Sequence, residues 1–214
     1  MIDLHTHTFF SDGELIPSEL IRRAEFVGYK AIAITDHADT SNFDFLISRS
    51  IRVCSDINKR KEIKAIPGIE ITHVHPEDIE TVAAEARELG AKIIVVHGET
   101  ITEPVMPGTN KKALMSDIDI LAHPGLISDD EAELAAEKGI YLEITARKGH
   151  SITNGHVAAL AKKHGAKMVI NTDSHSPSDL ITLEYARKVI LGAGLNEKDC
   201  NEIFINSKEI VSKI

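Results

Sequence analysis

The stretch Lys92-Ile93-Ile94-Val95-Val96-His97 decides the fold. Four consecutive β-branched apolar residues leave no face for water, so a strand made from them is buried on both sides. The run Lys167-Met168-Val169-Ile170-Asn171-Thr172 has the same character. Working outward, comparable runs lie at residues 2–7, 31–36, 62–71, 118–123 and 140–145, and with 92–97 and 167–173 they make the strand candidates. Between them, amphipathic patterns predict helices at 17–28, 43–61, 76–90, 129–139 and 153–165, with two more near 178–192 and 197–212. Pro17 suits a first turn, and Gly28, Gly90, Gly139 and Gly165 each stand where a helical run stops. Residues 98–116 are less regular and read as a long loop with one short helix. Strands of this kind alternating with helices give a parallel sheet. Periodicity alone leaves open whether that sheet closes into a barrel or stays doubly wound.

The strand ends choose. His5 and His7, His37, Glu70, His97, His123, and Asp173 with His175 all stand at or just beyond the C-terminal end of a predicted strand. In a parallel barrel those ends converge on one mouth, where catalytic groups sit. In an open sheet the outer strands are too far apart to share a site. The expected fold is therefore α/β, a TIM-like barrel of seven βα units.

Composition bounds the rest. A chain of 214 residues suits a single domain, and 43% hydrophobic content allows a sizeable core. Aromatics are 4% and Trp is absent, so the core is aliphatic. A net charge of −9 argues against gripping a nucleic-acid backbone, which is done with clustered Lys and Arg. Cys54 and Cys200 lie far apart and read as free thiols of a reducing compartment. The N-terminal run MIDLHTHTFF is no signal peptide, and no apolar run reaches about 18 residues, so a cytoplasmic chain without a membrane span is expected. The sequence carries no signal for an oligomeric state. Histidine is the anomaly, with eleven in the chain.

In His5-Thr6-His7 the imidazoles are two apart on a strand, so both point to the same side and can chelate one ion. Asp12 follows in the loop, close enough to add a carboxylate. A single strand histidine is most simply a hydrogen-bonded core residue, but H-x-H with a carboxylate behind it is not. Glu70 follows a buried strand, where a carboxylate is costly unless paired or coordinated, and its two oxygens can serve two ions. Asp173 and His175 repeat the two-residue spacing. Together His5, His7, Asp12, His37, Glu70, His97, His123, Asp173 and His175 exceed what one ion uses, so two or three divalent ions are implied. Mixed imidazole and carboxylate ligands suit Zn, Mn or Fe.

These residues resemble the PHP (polymerase and histidinol phosphatase) superfamily. The resemblance rests on D-L-H-T-H-T with Asp12, T-D-H at 35–37, A-H-P-G at 122–125 and N-T-D-S-H at 171–175, with Glu70 and His97 matching ligands after the third and fourth strands. It implies a distorted (β/α)7 barrel, a PHP domain over residues 1–214, and a trinuclear site. His5, His7, Glu70 and Asp173 would hold one ion, Asp12, His37 and His175 the second, and Glu70, His97 and His123 the third.

The expected function is hydrolysis of a phosphate ester, with a small-molecule phosphorylated substrate as partner and histidinol phosphate as the family's known one. A metal-bound hydroxide, and no protein nucleophile, would attack phosphorus. Arg147 and Lys148, just after the sixth strand, are candidates for holding phosphate oxygens. His150 and His156 read as surface or capping residues, and His73 and His75 as loop residues. Glu99 is a candidate for orienting an imidazole, and His164 for a helix end. Two other functions compete: a phosphodiesterase or nuclease, which wants a basic groove, and a non-enzymatic scaffold, which would lose metal ligands.

Overall fold

The structure is a computed structural model describing residues 1–214. Its strands are β1 (Ile2–Asp3), β2 (Ala31–Ile34), β3 (His37–Ala38), β4 (Lys64–Ile71), β5 (Ile93–His97), β6 (Ile120–Ala122), β7 (Tyr141–Thr145) and β8 (Met168–Asn171). All pair in parallel, and β3 carries the line of β2 onward along β4, so seven staves stand in chain order around a TIM-like barrel. The helices are α1 (Pro17–Val27), α2 (Phe43–Asn58), α3 (Ile79–Glu88), α4 (Thr109–Met115), α5 (Asp129–Lys138), α6 (Asn154–His164), α7 (Leu183–Gly192) and α8 (Glu197–Ser212). None is long and apolar enough to cross a membrane.

The core has the two layers that alternation in a closed sheet demands. Ile93 and Val95 point inward with Leu4, Ala33, Ile66, Ile120, Ala122 and Val169, and Ile210 of α8 joins this interior cluster. Ile94 and Val96 point outward, with Leu121, Leu142, Ile144 and Ile170, onto helix faces that include Val82 and Val157. The interior is a packed plug of aliphatic side chains, and the mouth is left to polar ones.

Closure between β8 and β1 is made differently from the rest. One backbone bridge, Thr6 to Ser174, joins them. Side chains supply the other bonds: Leu4 N–H donates to Asn171 Oδ1 at 2.9 Å, and Asp3 accepts from Thr172 N–H at 3.2 Å and Thr172 Oγ1 at 2.6 Å. The first strand is accordingly shorter than the 2–7 its sequence predicts. His5 N–H turns to Asp3 Oδ1 and Thr6 N–H to Thr35 Oγ1, so side chains replace the ladder there. The helix expected at 178–192 begins later, at Leu183, because Asp179 closes a separate turn by accepting from His175 and Ser176 N–H. Residues 98–116 hold one short helix, α4, as their irregular pattern implies.

Candidate metal centre

The inward face of each stave, followed past the aliphatic plug, delivers a polar side chain to the mouth. Ile93 and Val95 lead to His97, Ile66 to Glu70, Ala31 and Ala33 to His37, and Val169 to Asp173, each in steps of two. His123 is out of step: Ala122 points inward, so an unbroken strand would turn His123 away. A positive φ of 27° redirects it, and Asp173 also has a positive φ, at 51°. Non-glycine residues seldom adopt this region, and the strain collects at the mouth.

The loop carrying Asp12 is clamped by Asp36, which accepts from Thr8 N–H at 2.6 Å, Thr8 Oγ1 at 2.8 Å and Ser11 Oγ at 2.8 Å. The loop folds so tightly that a Cβ on Gly13 would stand 2.6 Å from the carbonyl oxygen of His7. This places Asp12 Oδ1 3.1 Å from His175 Nε2 and 3.5 Å from His37 Nε2.

Deeper in, His5 Nε2 lies 3.2 Å from Glu70 Oε1, and His7 Nε2 lies 3.1 Å from Asp173 Oδ1. His123 Nε2 is 3.6 Å from Glu70 and 3.7 Å from Asp173. Neither the His5–Glu70 nor the His7–Asp173 approach makes a hydrogen bond. Seven buried side-chain atoms have no hydrogen-bond partner, and six of them belong to His5, His7, Glu70, His123 and Asp173. An unsatisfied buried polar atom costs about 1–3 kcal/mol, so this concentration requires a reason. Convergent lone pairs of imidazole and carboxylate at these distances fit divalent cations. His7, Asp12, His37 and His175 form one such group, His5, His7 and Glu70 another, His5, His123 and Asp173 a third, and His97, His123 and His150 a fourth.

Electrostatics agree. Burial opposes charge on His5, but Glu143, Glu70 and Asp173 hold its pKa well above the usual histidine range. Burial, with neighbouring imidazoles, drives His7 and His123 well below it. Burial lifts Asp173 to about 7, whereas Glu70, although buried, is held low by His5 and His37. Protons are shared unevenly among groups that divalent cations would neutralise together.

All nine residues named from sequence as ligands border this basin. Arg147 also reaches it, with Nε 3.9 Å from Asp173 Oδ2 and Nη1 3.6 Å from Asp179 Oδ2. Lys148 does not: it is exposed and lines a neighbouring surface pocket. His150 is not a surface residue. It is buried, stacked on His123 at 4.3 Å between ring centroids, with Nδ1 2.7 Å from Thr100 Oγ1. Its partner Glu103 stands 3.2 Å from His97 Nε2 and 3.3 Å from His150 Nε2, and the bond to His97 pulls its carboxyl down to about 2. Glu99 orients no imidazole; its Oε1 accepts from Gly108 and Asn110 N–H and pins the loop. His156 bonds to the carbonyl of Ile127, His164 pairs with Asp129, and His75 caps a turn. Sequence reading missed Glu143, whose Oε1 meets His5 Nδ1 at 2.9 Å. The available signal was a lone carboxylate in the otherwise apolar strand YLEIT.

A seven-stave parallel barrel with imidazoles and carboxylates gathered at its C-terminal mouth defines the class of TIM-like barrels whose mouth could hold divalent metal. Within that class, the PHP domain model matches residues 3–179, and the chain belongs to this family. It is 51% identical to an uncharacterized protein of Methanocaldococcus jannaschii across 99% of both chains. It is 27% identical to a probable phosphatase of Shewanella frigidimarina, over 91% of this chain and 85% of that one. Among solved structures, a chain of archaeal ribonuclease P with mature tRNA superposes with a TM-score of 0.73 at 18% identity, covering 97% of this chain and 89% of that one. Histidinol phosphate phosphatase from Lactococcus lactis, complexed with zinc, L-histidinol and phosphate, superposes with a TM-score of 0.60 at 18% identity, covering 91% and 94%. Family membership supports the phosphatase class of enzyme.

Proposed function

We propose that this chain is a metal-dependent phosphoesterase that hydrolyses a small-molecule phosphomonoester. The observation that carries the reading is the cluster of unsatisfied buried nitrogen and oxygen atoms at the barrel mouth. In this reading two or three Zn, Mn or Fe ions are held by His5, His7, Glu70 and Asp173, by Asp12, His37 and His175, and by His97 and His123. Bound there, they would supply Lewis acidity, making coordinated water more acidic and offsetting charge on phosphoryl oxygens.

The chain's own groups do the rest. Glu143 holds His5 by Nδ1 and leaves Nε2 facing the basin, fixing its tautomer and angle. Thr72 Oγ1, 2.7 Å from His37 Nδ1, does the same for His37 on the adjacent stave. Arg147 approaches its carboxylates at 3.6–3.9 Å, longer than a tight pair, and only Nη1 donates within the chain, to the Asp173 carbonyl at 3.3 Å, so its remaining guanidinium donors can take non-transferring phosphate oxygens. The cleft above the basin has a volume of about 430 Å³ and is lined almost wholly by polar residues. That size suits a small polar substrate. The net charge of −9 speaks against a nucleic-acid substrate, and the full set of candidate ligands speaks against a scaffold role.

The test is a substrate panel. Protein loaded with Mn or Zn is assayed against p-nitrophenyl phosphate, bis-p-nitrophenyl phosphate and single-stranded DNA. Monoester turnover lost on chelation is expected. Diester or DNA turnover in its place moves the reading to a phosphodiesterase, and no turnover at full metal loading moves it to a scaffold.

A further inference from the structure

The resemblance to the family implies a third ion on Glu70, His97 and His123, but the structure gives His97 a different carboxylate. Its Nε2 faces Glu103 Oε2 at 3.2 Å, while Glu70 is taken up by His5 and by His37 Nδ1 at 2.7 Å. On the reading of this chain as a metal-dependent phosphoesterase, we propose that its outermost ion sits on His97, His123 and His150, with Glu103 as the carboxylate ligand.

Ligand-type atoms of the three histidines lie within 4.8 Å of one another. The nitrogens not facing Glu103 are already engaged. His97 Nδ1 donates to the carbonyl of Gly98 at 3.2 Å, and His150 Nδ1 is held by Thr100 Oγ1 at 2.7 Å and Thr102 Oγ1 at 3.0 Å. His97 Nε2 thus carries the lone pair of the neutral ring, and so does His150 Nε2 when its Nδ1 donates to a threonine hydroxyl. Those atoms meet the two oxygens of one carboxylate, at 3.2 and 3.3 Å. A cation standing among these atoms would take both Nε2 lone pairs and the carboxylate together, and His123, whose buried Nδ1 has no partner, completes the group.

Glu103 is not on a loose loop. Glu99 Oε1 accepts from Gly108 N–H and Asn110 N–H, both at 2.9 Å, and Gly125 packs so tightly on Glu99 that a Cβ there would lie 1.9 Å from its carbonyl oxygen. His150 belongs to the turn directly after β7, so with it every stave of the barrel contributes a ligand. Three imidazoles and one carboxylate are a set for zinc or a metal of similar preference. The Glu103 side chain is 39% exposed, so this ion exchanges with solvent faster than those held by Glu70 and Asp173.

The test is zinc content and affinity, read without turnover. Full-length wild type, Glu103→Gln and His150→Ala are loaded with zinc, freed of excess and measured by elemental analysis. A chelator-competition titration gives the affinity of each class of site. Each variant is expected to retain one zinc fewer per chain, or to hold the weakest class at least about tenfold more weakly. Metal-free melting of Glu103→Gln, an isosteric change at a half-exposed carboxylate, is expected to match wild type, which separates ligand loss from misfolding. Wild-type stoichiometry and affinity in both variants, with monoester turnover intact, overturns this assignment alone. A wild type that takes up no zinc overturns it together with the phosphoesterase reading.

Discussion

Glu143→Gln tests the support beneath the proposed metal centre. Glu143 is fully buried on the inward side of β7. One oxygen meets His5 Nδ1 and Asn171 Nδ2, both at 2.9 Å, and the other accepts from His123 N–H at 3.2 Å. Glutamine keeps the shape but has only one accepting oxygen. If that oxygen stays with His5 and Asn171, the new amide points at His123 N–H, donor against donor; turned over, it abandons both other partners. At least one buried donor is left unsatisfied, which costs about 1–3 kcal/mol. For a chain of this size each kcal/mol lowers Tm by about 2–4 °C, so metal-free protein should melt roughly 2–12 °C lower. His5 also loses the anion that orients it, and metal affinity should fall about 10–100-fold. Thermal melts in chelator and competition titrations against a metal indicator read the two effects separately. A variant melting within about 1 °C of wild type, with affinity within about twofold, would show that Glu143 orients nothing.

Arg147→Ala should raise KM for a monoester about 10–100-fold, with Arg147→Lys recovering part of it, whereas Lys148→Ala should stay within about twofold; equal effects at both positions would remove Arg147 from the phosphate. Burial raises the carboxyl of Asp3 to about 6, against hydrogen bonds from Thr172 that lower it. The native state thus keeps a proton that the unfolded chain releases near pH 4, so stability falls as pH rises from about 4 to about 6 and is level above that. Asp3→Asn should erase this slope in denaturant melts and gain up to about 3 kcal/mol at pH 8, with no gain at pH 4. Gly125 has a φ of +62° and no room for a Cβ. Gly125→Ala should cost more than about 2 kcal/mol and loosen the loop that carries Glu103, seen as faster amide exchange at residues 99–108.

The staves and their polar tips were legible because burial on two faces writes itself as an unbroken apolar run, and because step-of-two phasing carries that face forward to His37, Glu70, His97 and Asp173. His123 reached the basin for a reason no pattern contains, a backbone turned through positive φ. His150 and Glu103 were illegible for another reason. They lie on different loops, 47 positions apart, and meet only when the loop after β5 folds over the turn after β7. Lys148 misled because adjacency to Arg147 says nothing about direction. The first strand was overestimated because Asp3, Thr35 and Asn171 look like ordinary polar residues in sequence, yet they take the ladder's bonds for themselves.

The seam between β1 and β8 has a consequence for how this molecule comes into being. One lip carries His5 and His7, the other Asp173 and His175, and the bonds across it join residues 167 and 169 positions apart. A nascent chain therefore cannot assemble the deep basin until nearly all of the barrel has left the ribosome. Cations seated between the lips, as proposed, would act as rivets, and loading and ring closure would then be a single cooperative event.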